Sequence, residues 1–193
     1  GMLNNPTGLA LRSGVLYVGD TGNHRVSKYD ATTGAFQGWI GRLGASVVGA
    51  SCAASGANNF TGAWCTGSTG QSGNSTTGHM NSPRGVAIDA AGTFLYVADT
   101  GNNRVYRFNL GAGSLSGWMG RINATGGTCT AGAATFSGAF CTGGTTAAAN
   151  AAGDGSMSGP YYVAVDPVGG DLVVTDSTNN RINRYSSAGA FLG

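Results

Sequence analysis

The chain has 193 residues, of which 36 are glycine and only 9% are charged, and its formal net charge is +2. This length fits a single domain, and so small a charge argues against nucleic acid or any other strongly electrostatic partner. Abundant glycine and small polar residues are typical of turn-rich β structure. The apolar runs are only strand-sized, so no membrane-inserted helix is predicted.

One motif occurs three times and organises the chain. Each copy has an apolar run, then D-x-x-N-x-R, then an alternating run, and the copies span residues 15–30, 94–109 and 171–186. β-Branched and aromatic residues at period two predict two strands, and the residues between them, T-G-N-N in the second copy, tolerate the positive φ of a tight turn. Each copy is therefore predicted to be a β-hairpin.

The hairpins lie in units that each have a proline near their start, and these prolines, Pro6, Pro83 and Pro160, are spaced 77 residues apart. The units span residues 4–80, 81–157 and 158–193. A short strand follows each proline, and a fourth apolar stretch follows each hairpin, at residues 35–41, 114–120 and 190–193. Four short antiparallel strands make one propeller blade, so the predicted fold is all-β with three blades. A repeat needs its neighbours to bury its apolar face.

The repeated residues carry a family resemblance. The motifs P-x-G-V-A-I-D and L-Y-V-A-D-T-G-N-N-R-V, an aromatic residue and a terminal G-x-x-G resemble NHL repeats in all three units. The resemblance implies a β-propeller, commonly of six blades, that serves mainly as a binding platform; a minority of relatives are lyases or bind RNA. Unit 3 departs from the pattern at Tyr162, where the others have Gly8 and Gly85. Three blades do not close a ring, so we expect either further repeats or a homodimer of six blades.

Two homologous insertions, at residues 43–80 and 122–157, separate the units and are expected to be ordered loops. Each holds two cysteines, and their matching positions predict disulfides between Cys52 and Cys65 and between Cys129 and Cys141. A zinc site is disfavoured because no closely spaced cysteine or histidine pair is present. Persisting disulfides indicate an oxidising compartment, so a secreted or cell-surface protein is predicted.

In a four-stranded meander, the second-to-third turn and the fourth-to-first connection emerge at one edge. The disulfide loops and the hairpin turns are therefore expected to share a face, which we take as the candidate binding face. Thr7, Arg84 and Tyr161 begin the innermost strands at this edge and differ while their surroundings repeat, which fits either binding or drift at an exposed position. Tyr162 adds bulk beside them.

The insertions supply a second set of candidate ligand-binding residues. Its members are polar or aromatic and follow the fourth strand: Arg42, Arg121, Asn59, Phe60, Trp64, Phe136 and Phe140. The four aromatic residues either fill a small core around each disulfide or serve as exposed stacking platforms for sugars or apolar side chains.

The charged residues of the hairpin motif are interpreted as scaffold. They recur in every unit, as Asp20 with Arg25, Asp99 with Arg104, and Asp176 with Arg181. A catalytic residue is needed only once in a protein, so its repetition in every unit favours a structural role. The aspartates are expected to accept hydrogen bonds from turn amides, and the arginines to form ion pairs with carboxylates.

The function predicted from the sequence is a non-catalytic extracellular binding or adhesion module for a glycan or a protein. The only histidines, His24 and His79, stand in no recognisable catalytic arrangement, and no cofactor, metal, nucleic acid or membrane insertion is expected. The alternative is a structural spacer or assembly element of a surface protein; lyase, hydrolase and RNA-binding readings are weaker.

Overall fold

The computed structural model describes residues 2–45, 52, 59–71, 73, 76–132, 135–146 and 153–193. Its three main sheets are antiparallel meanders in chain order, one for each unit, so the all-β blade fold is confirmed. Blade 1 contains β1 (Pro6–Arg12), β2 (Val15–Asp20), β3 (Arg25–Asp30), β4 (Phe36–Leu43) and the short β5 (Gly70–Gln71). Blade 2 contains β6 (Pro83–Ile88), β7 (Phe94–Asp99), β8 (Arg104–Asn109) and β9 (Leu115–Gly120).

Blade 3 contains β12 (Pro160–Val165), β13 (Leu172–Asp176) and β14 (Arg181–Tyr185). Its predicted fourth strand is represented by a bridge between Tyr185 and Phe191 and by a hydrogen bond of 2.6 Å from the Arg184 amide to the Gly193 carbonyl. The second insertion adds a two-stranded sheet of β10 (Ile122–Ala124) and β11 (Thr145–Thr146). The insertions are thus loops with a few short strand pairings.

The three hairpin turns have the same backbone, as the motif predicts. Each is a three-residue 3₁₀ turn followed by a residue in the left-handed region: Thr21–Asn23 with His24 at φ 54°, Thr100–Asn102 with Asn103 at φ 54°, and Ser177–Asn179 with Asn180 at φ 52°. Asparagine tolerates this region better than most residues because its short polar side chain forms local hydrogen bonds.

The hydrophobic core lies between blades. One core cluster lies between blades 1 and 2 and a second between blades 2 and 3. Equivalent residues of the preceding blade contribute to each: Tyr17, Val26 and Ile40 of blade 1, and Tyr96, Val105 and Met119 of blade 2. They pack against residues of the following blade, such as Val97 and Trp118 or Val174 and Tyr185. The inner strand β6 contacts both β1 and β12, so the three blades stand side by side in chain order. Burial between repeats, and not within one repeat, therefore stabilises the array.

The scaffold residues join each hairpin to the chain that enters its blade. Nε of Arg25, Arg104 and Arg181 lies 2.7, 2.9 and 2.9 Å from the aspartate of the same hairpin. The other oxygen of each aspartate accepts an amide hydrogen bond from Asn4, Asn81 or Ser158, just before the blade's first strand. Each arginine also donates to a carbonyl of the incoming segment, that of Met2, His79 or Ser156.

His24 joins blades 1 and 2 through a hydrogen bond that its protonation would remove. Its Nδ1 accepts a hydrogen bond of 3.0 Å from the Ser82 amide, just as Asn103 Oδ1 accepts one of 2.8 Å from the Gly159 amide at the next junction. Burial lowers the pKa of His24 below its ordinary 6.5, and the charge of Asp99 opposes that shift. Since protonation occupies the accepting nitrogen, the neutral form is the one that the folded chain favours.

We expect acidification to destabilise the wild type more than the variant His24→Asn. The unfolded chain takes up the proton first, so stability contributed by His24 is present above pH 6.5 and is lost as the pH falls from there through the lowered folded pKa. Urea unfolding at about pH 7.5 and about pH 5 measures the difference. All other residues are common to the two proteins, so the difference isolates position 24. Equal pH dependence in the two proteins would contradict this account.

Candidate functional site

The first insertion folds back along the outer strand of its blade. The amide of Leu43 donates to the Asn59 carbonyl at 2.8 Å, and Trp39 and Cys65 exchange two backbone hydrogen bonds of 2.9 Å. The second insertion repeats this arrangement, with the amide of Ile122 on the Thr135 carbonyl and paired bonds between Trp118 and Cys141. The outer edges of β4 and β9 are therefore covered, which protects them from pairing with other chains.

This path corrects the prediction that the disulfide loops lie on the face of the hairpin turns. As predicted, the first strand begins and the fourth strand ends at the edge of the hairpin turn, since Pro6 pairs with Asp20 and Gly41 pairs with Arg25. His79, near the end of the first insertion, also lies at that edge, where its carbonyl accepts a hydrogen bond from Arg104. Cys65 and Cys141, however, lie beside the outer strands of their blades, paired with Trp39 and Trp118. The prediction was wrong for them because strand direction fixes where a connection begins but not where it goes.

Both predicted disulfides are present. Cys52 with Cys65 and Cys129 with Cys141 have Cα–Cα distances of 5.2 and 5.0 Å. The first packs with Trp39, whose Nε1 donates to the Gly67 carbonyl at 2.9 Å. Trp118 makes the equivalent bond of 2.9 Å to the Gly143 carbonyl. Each disulfide and its tryptophan thus bind the insertion to the blade that precedes it.

Each insertion also bonds to the blade that follows it. The amide of Trp64 donates to the Ala112 carbonyl at 3.2 Å, and its indole Nε1 donates to the Leu110 carbonyl at 3.0 Å. In the second insertion, the amide of Phe140 donates to the Ala188 carbonyl at 3.0 Å. These contacts lie on the turn between the third and fourth strands of the next blade, so the insertions join neighbouring blades.

The four loop aromatic residues pack into the junctions. Their ring centroids lie 5.6–5.8 Å from core rings, in the pairs Phe60 with Phe108, Trp64 with Tyr17, Phe136 with Tyr185, and Phe140 with Tyr96. All four are half-buried. This placement favours the core-filling alternative, and their role in ligand binding stays a prediction. Arg42 and Arg121 lie beside them, in bridges to Phe60 and Phe136.

The inner-strand candidates fall into two groups. Arg84 and Tyr161 meet across the junction of blades 2 and 3: Nη1 of Arg84 donates to the Tyr161 hydroxyl at 2.6 Å, and Cζ lies 4.4 Å from the centre of that ring. The rings of Tyr161 and Tyr162 are 4.8 Å apart. We call Arg84, Tyr161 and Tyr162 the rim cluster. Thr7 is bonded instead to the Thr21 hydroxyl of its own blade, at 2.8 Å.

Two features of the rim cluster are unusual for a blade junction. The side chain of Tyr162 is at the edge of the packed array and the residue is 52% exposed. Nε of Arg84 is buried and has no hydrogen-bond partner among the described residues. A buried donor without a partner costs free energy, so packing alone does not account for this arrangement.

In blades 1 and 2, the position equivalent to Tyr162 is a glycine, because the inner strand of the following blade lies close against it. A Cβ on Gly8 would collide with the Arg84 carbonyl, and a Cβ on Gly85 would lie 2.6 Å from Cα of Tyr162. Unit 3 has Tyr162 itself at this position. A fourth blade packed as closely would place its backbone against the tyrosine Cβ, so a ring of two chains, which stays a prediction, needs a wider junction there.

Within the described ranges, no group of three or more His, Cys, Asp or Glu residues is placed to hold a metal ion. None of the helices described is long and apolar enough to cross a membrane.

The repeated meanders, their inter-blade cores and their shared turn define an all-β repeat protein built from propeller blades. The NHL repeat family model matches residues 3–29 and 80–108, which hold nearly all of the first three strands of blades 1 and 2. Two of the three units whose motifs resemble NHL repeats are therefore NHL repeats. The comparison with curated proteins gave no match.

Solved structures with a similar fold were also found. A putative phosphatase from Bacteroides thetaiotaomicron is 15% identical, with 91% of this chain and 33% of that chain covered and a TM-score of 0.47. Regucalcin from Agrobacterium tumefaciens is 12% identical, with 100% and 74% covered and a TM-score of 0.37. A gluconolactonase from Xanthomonas campestris is 16% identical, with 100% and 76% covered and a TM-score of 0.36.

The chain spans 33% of the length of the putative phosphatase and 49% of that of a hydrazine synthase from Kuenenia stuttgartiensis, which is 13% identical with a TM-score of 0.40. All these TM-scores lie below 0.5. The activities in those names are therefore properties of those proteins alone.

Proposed function

We propose that the chain is a non-catalytic extracellular binding module that recognises a glycan or protein ligand through the rim cluster. The observation that carries the proposal is the exposed ring of Tyr162, which lies 4.8 Å from the tilted ring of Tyr161 and beside the Arg84 guanidinium that Tyr161 holds. Aromatic faces next to directional donors suit sugars and the side chains of a protein partner alike.

The chemistry of the cluster supports binding better than packing. Tyr161 holds the Arg84 guanidinium in place through a ring face and a hydroxyl acceptor, so little side-chain entropy remains to be lost when a ligand binds. Tyr162 contributes a broad apolar surface with a polar tip. The other two units have glycine at its position, so the fold of a blade does not require this ring.

The two disulfides support an extracellular location. Such bonds persist in oxidising compartments and are rare in the cytosol. The insertions that contain them join blades, which keeps the rim of blade 3 at a fixed position relative to blade 2. A structural spacer, the competing function, would need the same contacts between blades but would not need the exposed ring of Tyr162.

The test compares the wild type with Tyr162→Gly on glycan and protein arrays. We expect the wild type to retain a specific ligand and the variant to bind it at least about tenfold more weakly, the loss typical of a residue central to an interface. Glycine is the residue of units 1 and 2, so the variant keeps a blade-compatible backbone.

The matched control is Ile182→Ala, which removes another exposed apolar side chain, 66% exposed, from blade 3. It is expected to bind like the wild type. A wild type that retains nothing specific would favour the spacer, and equal binding by Tyr162→Gly would place the ligand elsewhere.

A further inference from the structure

A cleft of about 470 Å³ opens between blades 2 and 3, away from the rim cluster. It lies at the edge opposite the hairpin turns, because its walls come from the β6–β7 turn, the β12–β13 turn and the end of β14. Asp89, Phe94 and Arg107 form one side, and Gly169 and Ala188 form the other. The volume falls within the range of small-molecule sites, about 300–1,000 Å³.

The equivalent space between blades 1 and 2 is occupied. There the guanidinium of Arg12 lies against Gly92, with Nε 3.0 Å from where a Cβ would be. Asp89 stands 77 residues after Arg12 and is too short to reach across. The glycine that corresponds to Gly92 is Gly169, and a Cβ there would meet only Asp166 of its own turn. The presence of Asp89 in unit 2, where unit 1 has Arg12, thus leaves the junction of blades 2 and 3 open.

The donor in the cleft is held rigidly. Cζ of Arg107 lies 4.7 Å from the centre of the Phe94 ring and 4.4 Å from that of Phe140. Its Nε bonds to Ser116 Oγ at 3.2 Å and its Nη1 to the Ser187 carbonyl at 3.4 Å. The Tyr96 side chain, which also lines the cleft, hydrogen-bonds to the same guanidinium. Two rings and three hydrogen bonds therefore orient Arg107, and these bonds use three of the five N–H donors of an arginine.

The acceptor in the cleft is equally well placed. Oδ1 of Asp89 accepts the amides of Thr93 and Phe94 at 2.7 and 2.8 Å, which fixes the carboxylate on its turn. Within the described part of the chain, nothing donates to Oδ2. The cleft therefore presents an oriented donor and an open acceptor above small and apolar residues.

We infer that this cleft is a second binding site, and that its ligand is a neutral saccharide unit of hexose size. Each sugar hydroxyl both donates and accepts, so one can bond to Arg107 while another bonds to Asp89. A simple anion is disfavoured by Asp89 and a simple cation by Arg107. The C–H faces of the sugar ring can pack on the apolar wall that Pro167, Val168 and Ala188 provide.

The experiment is ¹⁵N chemical-shift mapping during titration with methyl glycosides of glucose, galactose, mannose and N-acetylglucosamine. At least one is expected to shift the amides of Asp89, Gly169 and Ala188 and to leave that of Gly14, in the corresponding turn of blade 1, unchanged, because Arg12 fills the junction of blades 1 and 2. No shift with any of the four sugars, or shifts spread evenly over the chain, would overturn the inference.

Two variants test the cleft directly. Asp89→Arg introduces the residue that closes the first junction, and Ala90→Arg, at an exposed position, fills the cleft while the Asp89 turn stays intact. Both are expected to abolish the sugar-induced shifts. Asp154→Arg makes the same change of charge as Asp89→Arg at an exposed site outside the cleft and should bind like the wild type. Undiminished shifts in Ala90→Arg would show that the sugar does not occupy the cleft.

Discussion

Replacing Arg104 with alanine is expected to lower the free energy of unfolding by about 3–5 kcal/mol, the usual cost of removing one partner from a buried ion pair. Arg104 and Asp99 both have fully buried side chains. Burial raises the pKa of Asp99 and the charge of Arg104 opposes that shift, so the variant leaves a carboxyl without its counter-charge. The carbonyls of Thr76 and His79 also lose a donor.

Urea unfolding followed by tryptophan fluorescence measures this loss. The matched control is Arg181→Ala in blade 3, where the arginine side chain is 28% exposed and water can solvate the remaining aspartate. We expect a clearly smaller loss for Arg181→Ala. Equal losses at the two positions would contradict the assignment of the large effect to burial.

Removing the second disulfide is the other change with a large expected effect. The variant Cys129→Ala with Cys141→Ala should lose about 3 kcal/mol, the chain-entropy value for a loop of this order. The two cysteines are 12 residues apart, and the loop between them contains Phe140, which bonds to the turn of blade 3. Alanine avoids placing a hydroxyl in a site that is nearly inaccessible to water.

Unfolding under oxidising and reducing conditions checks this result. The reducing agent should destabilise the wild type more than the variant, because the variant retains only the disulfide of the first insertion. An equal response of the two proteins would mean that the second disulfide contributes nothing measurable to the folded chain.

The features that the sequence predicts well are local and repeated. D-x-x-N-x-R predicts the hairpin, its left-handed residue and the pairing of Asp99 with Arg104, since all of these form within a few residues. The disulfides follow from matching positions in two insertions. A pattern seen three times distinguishes a structural requirement from chance even without a second sequence.

The candidate site could be predicted only in part, because it depends on contacts between units. The variation at Arg84 and Tyr161 is visible in the sequence, but not the hydrogen bond that unites them. Aromatic residues in the insertions are visible too, whereas their burial depends on a path along the outer strand. The cleft beside Asp89 could have been noticed as the loss of Arg12 from the repeat, yet its significance requires the position of Gly92 in the neighbouring blade.

The central functional claim is that ligand binding depends on the rim cluster and not on the aromatic residues of the insertions. The most direct measurement is the affinity of Tyr162→Gly and of Trp64→Phe for whichever array glycan or protein the wild type retains. Phenylalanine keeps a ring against Tyr17 and removes the indole donor. We predict at least about a tenfold loss for Tyr162→Gly and wild-type affinity for Trp64→Phe. The reverse result, with Trp64→Phe weakened and Tyr162→Gly unchanged, would contradict the account.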